Sequence, residues 1–254
     1  MTKPIFVATL TAIVATAAAG GCRDHTPTGP NMIVPNAADA ARVTSISLPA
    51  PSQFVAVIDN PYYPLIPGTT FEYRSETPEG TETNTVEVTR ETKTILGITA
   101  TVVHDQVFLE GELTEDTYDW YAQDVAGNVW YLGEASCEVE AGECVSIEGS
   151  WEAGVDGAMA GIVMWADPAA HQRETYRQEF LAGEAEDVAR VIATNASVEV
   201  PYGEFTGCIE TMDLSPLEPG AREHRFYCPG TGLLLEVTSR EGRVRNELVD
   251  IEAP

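Results

Sequence analysis

The stretch ITATVVHDQVFLEGELTEDTYDWYAQDVAGNVWYL, residues 98–132, decides the fold. Two β-branched and aromatic runs, Ile98 to Leu109 and Thr114 to Ala122, flank Gly111, and a third, Val129 to Leu132, follows Gly127. Runs of this length and composition, punctuated by glycine-bearing turns, read as successive antiparallel strands.

The same pattern continues outward. Thr70 to Arg74 and Thr85 to Glu91 precede it; Glu143 to Ile147, Thr175 to Leu181, Val188 to Ala193, Ser197 to Val200, Glu204 to Met212, Arg222 to Tyr227, Leu233 to Thr238 and Val244 to Ile251 follow. Strand signals about 10 residues apart, with no long helical segment recurring between them, predict an all-β protein. The expected architecture is an antiparallel sheet, sandwich or half-open barrel with at most one or two short helices. Pro168 to Ala193 contains good helix formers, but Gly183 interrupts it and Tyr176, Phe180, Val188, Val191 and Ile192 suit strands, so two strands are expected there. The Gly- and Ala-rich stretch from Gly149 to Ala170, with Trp151, Met159, Met164 and Trp165, reads as a long loop.

The N-terminus carries an address. Lys3 is followed by an apolar run from Pro4 to Ala19 that is too short to span a bilayer and that gives way to Arg23-Asp24-His25. At its end Ala19-Gly20-Gly21-Cys22 resembles the bacterial lipobox, in which small residues precede the cut and the cysteine thiol takes a diacylglycerol. The implied organisation is a signal peptide over 1–21, a proline-rich flexible tether over 22–55 beginning at lipidated Cys22, and a single β-rich domain over 56–254. Arg23 follows the cysteine where an Asp would signal inner-membrane retention, which favours the outer membrane or cell surface.

Removing Cys22 from the five cysteines leaves Cys137, Cys144, Cys208 and Cys228, an even number in an exported chain, as expected for two disulfides. Of three connectivities, local pairing fits best. Cys137 and Cys144 flank a Glu140-Ala141-Gly142-Glu143 turn, and Cys208 opposite Cys228 would set Glu210 opposite Phe226 and Met212 opposite His224.

With 40 acidic residues against 14 basic ones the chain has a formal net charge of −26, which argues against nucleic acid as a partner. The charge suits solubility and repulsion from anionic surfaces. Asp119-Trp120-Tyr121-Ala122-Gln123-Asp124 with Gly127-Asn128-Val129-Trp130-Tyr131, the turn Val200-Pro201-Tyr202-Gly203-Glu204-Phe205, and the late hairpin Tyr227-Cys228-Pro229-Gly230-Thr231-Gly232-Leu233 resemble a group of uncharacterised bacterial exported proteins and lipoproteins. That resemblance implies a β-rich domain and an envelope location, and it implies no activity.

Candidate chemistry is sparse. Asp124 and Asn128 in Asp124-Val125-Ala126-Gly127-Asn128 could ligate Ca2+, though a hairpin turn demands the same residues, and no other cofactor is expected. Glu115, Asp116 and Asp119 stand beside aromatics as in a hydrolytic or carbohydrate-binding cleft. His104, His171 and His224 have no Gly-x-Ser-x-Gly elbow to serve, and no His-Glu-x-x-His motif is present. Trp120, Tyr121, Trp130 and Tyr131 lie on neighbouring strands, as core or as the lining of a ligand pocket. The expected function is therefore a lipid-anchored, non-catalytic domain that binds a small molecule, a lipid or an envelope protein. The contrasting expectation is an exported hydrolase using Asp or Glu residues, with calcium as a possible requirement.

Overall fold

The computed structural model describes residues 43–44, 46–238 and 244–254, so the lipobox, Cys22 and the first part of the expected tether lie outside the described residues. The strands are β1 (Val43–Thr44), β2 (Phe54–Val55), β3 (Thr70–Thr77), β4 (Gly80–Ile95), β5 (Ile98–Leu109), β6 (Glu112–Asp124), β7 (Val129–Ala135), β8 (Glu138–Glu140), β9 (Glu143–Ser146), β10 (Trp151–Glu152), β11 (Met159–Met164), β12 (Thr175–Arg177), β13 (Glu179–Phe180), β14 (Val188–Val200), β15 (Gly203–Leu214), β16 (Glu223–Cys228), β17 (Gly232–Thr238) and β18 (Val244–Glu252). Two 3-10 turns, at Pro51–Gln53 and Pro168–His171, are the helical elements among the described residues.

The protein is all-β, as its strand pattern predicts. β3 to β7 form one antiparallel meander and β14 to β18 another, and the pairing of β18 with β3 joins them into one curled sheet. The remaining margins meet around Thr175–Phe180: β12 pairs with β14, while β13 pairs with β11, which in turn pairs with β7. β1 adds to β12 as a parallel strand. The β11–β13 ladder has only two rungs, Met159 opposite Phe180 and Ala160 opposite Glu179. The sheet is therefore weakly paired at this seam, in contrast to the long ladders inside the two meanders.

Several sequence expectations need correction. The stretch from Gly149 to Ala170 is not a loop: β10 and β11 within it cover the margin of β7, with Trp151 opposite Glu134 and Gly161 opposite Tyr131. Small residues allow this, because Gly161 lies directly against the backbone of Arg177 and Gln178. Val188 to Ala193 and Ser197 to Val200 are parts of one strand, β14, whose register shifts between Val191 and Ser197. Thr85 to Glu91 is the middle of the much longer β4. The ordered body also begins upstream of residue 56. β1 and β2 pair with β12 and β6, and Ile46 and Leu48 pack on the core.

Both local cysteine pairs are bonded, Cys137 to Cys144 and Cys208 to Cys228. β15 and β16 place Glu210 opposite Phe226 and Met212 opposite His224, the register expected from the spacing of the second pair.

Candidate functional site

Alternation along the strands sends one residue in two to the inside of the curled sheet. In this protein many of those inward residues are charged. Successive cross-strand partners Thr211, Arg225, Glu236, Asn246, Ser75 and Glu82 form an unbroken polar row over β15, β16, β17, β18, β3 and β4. All six are buried. The Arg225 guanidinium lies 3.1 Å from Asp213, 2.6 Å from Glu223 and 3.0 Å from Glu236. Asn246 donates to the second Glu236 oxygen at 2.9 Å, and Ser75 donates to Glu82 at 3.3 Å.

Desolvation dominates this row. Burial pushes the Glu236 carboxyl up to about 8, repulsion from Glu223 adds to the shift, and Arg225 opposes it. Glu82 rises to about 7, mainly by burial. Arg225 is held charged by its three carboxylates against its own desolvation cost.

The facing wall carries a second group. Asp119 on β6 is directly opposite Glu134 on β7, and Glu134 is opposite Trp151 on β10. The Tyr131 hydroxyl donates to Asp119 at 2.6 Å, the Trp151 indole donates to Glu179 at 3.1 Å, and Asn84 donates to Asp105. Asp105, Asp119, Glu134 and Glu179 are each no more than 4% exposed. Burial raises Asp119 to about 7, and it pushes Asp105, Glu134 and Glu179 well above the carboxylate range, with mutual repulsion adding to it. One oxygen each of Asp105, Glu134 and Glu179 has no hydrogen-bond partner, which adds to the cost of keeping these groups ionised. Tyr63 sits between the walls, its ring 5.6 Å from Tyr121 and 5.8 Å from Tyr227.

The residues singled out from the sequence fall into three places. Asp124 caps its own hairpin: it accepts from the backbone N–H of Ala126 and Asn128, from the Asn128 amide and from the Trp130 indole, all within 3.0 Å. Asn128 in turn accepts from the Ala166 N–H. Both Asp124 oxygens are thus engaged by protein donors, and among the described residues no group of three or more His, Cys, Asp or Glu side chains is arranged to hold a metal ion. Trp120, Tyr121, Trp130 and Tyr131 are all buried but do not converge. Tyr121 stacks on Tyr131 at 4.9 Å, Trp130 packs against Phe54, and Trp120 lies beneath the Lys93 ammonium. The three histidines among the described residues are each within 3.0 Å of a carboxylate: His104 of Asp116, His171 of Glu174 and His224 of Glu210.

The interior row was invisible in the sequence because its members come from six strands spread over residues 75 to 246. One signal was present: Glu236 interrupts the otherwise apolar run from Leu233 to Val237. The arrangement can store protons and fix strand register. Its acids are buried within the sheet.

Comparison with protein-family models and with curated protein sequences finds no match. Among solved structures, the chain is similar to a protein of Bacteroides fragilis assigned as exported, with a YmcC-like fold, at 14% identity and a TM-score of 0.43 over 76% of this chain and 99% of that one. It is also similar to a protein of Parabacteroides distasonis assigned as a lipoprotein, at 10% identity and a TM-score of 0.41 over 75% of this chain and 98% of that one. Neither likeness assigns a function to the chain.

Proposed function

We propose that this chain is a cell-envelope lipoprotein, anchored through Cys22 to the outer membrane or cell surface, whose β domain serves as a non-catalytic binding or partner module. The observation that carries the anchor is Ala19-Gly20-Gly21-Cys22 at the end of a short apolar run. Two cystines support it, because such bonds persist in oxidising compartments outside the cytoplasm. The non-catalytic reading draws its support from the interior. Its paired acids, Asp119 and Glu134, have the raised proton affinity that acid catalysis would use, yet they are 1% and 2% exposed. A hydrolase would have them at an open cleft.

Labelling with radioactive palmitate tests the anchor: the wild-type chain takes up label and Cys22→Ala does not. Persistent label in Cys22→Ala would defeat the lipobox reading. Native mass spectrometry of protein extracted from membranes, with and without chelator, tests the module. A retained mass lost only in chelator points to bound calcium, and one that survives chelator points to a lipid or small molecule. A bare mass under both conditions leaves a protein partner as the ligand.

A further inference from the structure

Three acid-free segments meet at one end of a strongly acidic protein. The meander brings the β4–β5 turn, Leu96-Gly97, and the β6–β7 turn, Val125 to Asn128, to the same end of the sheet, and sends the β3–β4 and β5–β6 turns to the other. Residues 50–57, 94–99 and 125–128 contain no Asp or Glu, although the chain has 40 of them. They are contiguous in space. Pro51 lies against Gly97, the Val125 N–H donates to the Gln53 carbonyl at 2.8 Å, and Leu96 lies against Gly154, next to Val155.

Beside the polar Ser52, Gln53, Thr94 and Thr99, these segments and the adjoining Val155 expose aliphatic side chains. Leu96 is 54% exposed, Val125 61% and Val155 49%. Asp124 and Asp156 adjoin Val125 and Val155 in sequence, Asp124 buried in its own hairpin and Asp156 exposed, and Lys93, one of two lysines in the chain, stands behind the rim in an ion pair with Glu152. The opposite end carries Glu76 and Glu79 on one turn and Glu110 and Glu112 on the next. A domain of this charge is repelled by an anionic membrane unless its neutral end is presented.

We propose that the rim of Pro51, Leu96, Val125 and Val155 rests on the lipid bilayer, with the glutamate-bearing turns facing away. The inference depends on the anchored reading above. The 21 residue steps from Cys22 to Val43 span at most about 75 Å even when fully extended, so the anchor keeps the rim within reach of the bilayer. Anchoring supplies the effective concentration at which a few aliphatic tips suffice for contact. The domain then lies on the membrane in one orientation rather than standing clear of it.

The test uses the lipidated full chain in vesicles of phosphatidylcholine and phosphatidylglycerol containing brominated acyl chains. Val125→Trp, Val155→Trp and Glu79→Trp are each compared with the unsubstituted chain, whose four native tryptophans set the background. The added indoles at 125 and 155 are expected to lose about half of their emission, as fits burial about 5–10 Å into the headgroup and acyl boundary, while that at 79 is unchanged. Equal quenching at all three positions, or none at any, would overturn the proposal. Flotation of the same samples separates the two ideas, since a chain that does not float defeats the anchor. In that case a hexahistidine replacing Cys22 holds the chain on nickel-chelating vesicles, and the same quenching pattern decides the rim.

Discussion

At the scale of single residues, Arg225 and Asp124 each satisfy groups that would otherwise be costly to bury. Arg225 faces Asp213, Glu223 and Glu236 in a site where the guanidinium is 9% exposed and Glu236 1%. Replacing a buried ion pair wholesale can be neutral, but removing one partner strands the other charges. Arg225→Leu should therefore cost about 3–5 kcal/mol in urea unfolding. The exposed Arg74–Glu76 pair is the internal control, and Arg74→Ala should leave the urea midpoint nearly unchanged. A similarly small loss for Arg225→Leu would mean that the three carboxyls take up protons and need no cation. Asp124 accepts four hydrogen bonds, including that of the buried Trp130 indole, so Asp124→Ala should cost about 2–3 kcal/mol. Asp124→Asn keeps one acceptor and should lose less. If chelator also lowered the melting temperature of the wild-type chain, the turn reading of Asp124 would give way to the calcium one.

Among the elements, the seam between β11 and the Thr175–Phe180 segment combines a two-rung ladder with close backbone packing. A Cβ added at Gly161 would lie 2.4 Å from the Arg177 carbonyl oxygen and 2.5 Å from the Gln178 backbone, neither of which can rotate away. Gly161→Ala should cost about 2–3 kcal/mol through this overpacking, and amide exchange should rise first in β11, β12 and β13. Unchanged exchange there would show that the short ladder is not the weak point. The two cystines differ in the loop each closes, with sequence separations of 7 and 20. On the loop-entropy model, losing Cys208–Cys228 should cost about 3 kcal/mol and losing Cys137–Cys144 about 2.5 kcal/mol. Much of the element structure was legible because strands and turns are local signals: residues 98–132 contain two turns and three strands, and the 208–228 spacing contains its own register. β10 and β11 were not, since what makes the Gly- and Ala-rich stretch extended is the open margin of β7, a partner distant in the chain. The aromatic set Trp120, Tyr121, Trp130 and Tyr131 was correctly placed on neighbouring strands. Which side each ring packs on depended on β2, Lys93 and Tyr63, which no local pattern brings to it.

For the whole molecule, the polar interior sets how stability responds to pH. Asp119 and Glu82 rise to about 7, Asp187 to about 7 and Glu236 to about 8, in each case with burial as the largest cause. A carboxyl whose folded-state pKa is raised holds its proton in the native protein after the unfolded chain has lost it, near pH 4. The folded state therefore binds more protons than the unfolded one between about pH 4 and pH 8, and unfolding free energy falls as pH rises through that window. Each group that accounts for a full proton of difference contributes a slope of about 1.4 kcal/mol per pH unit. Self-repulsion among the exposed acids acts in the same direction, because net charge grows more negative over the same range. The exposed Glu76, whose carboxyl is lowered by its hydrogen bond to Arg74, opposes the trend only weakly at the surface. Calorimetry should accordingly find the highest melting temperature in mildly acidic buffer and a steady decline toward pH 8. Glu236→Gln removes one of the titrating groups while keeping an amide oxygen toward Arg225, so its decline should be shallower than that of the wild-type chain. A wild-type melting temperature that is flat or rises from pH 5 to pH 8 would mean that water or a counter-ion reaches the interior acids and lets them ionise in place.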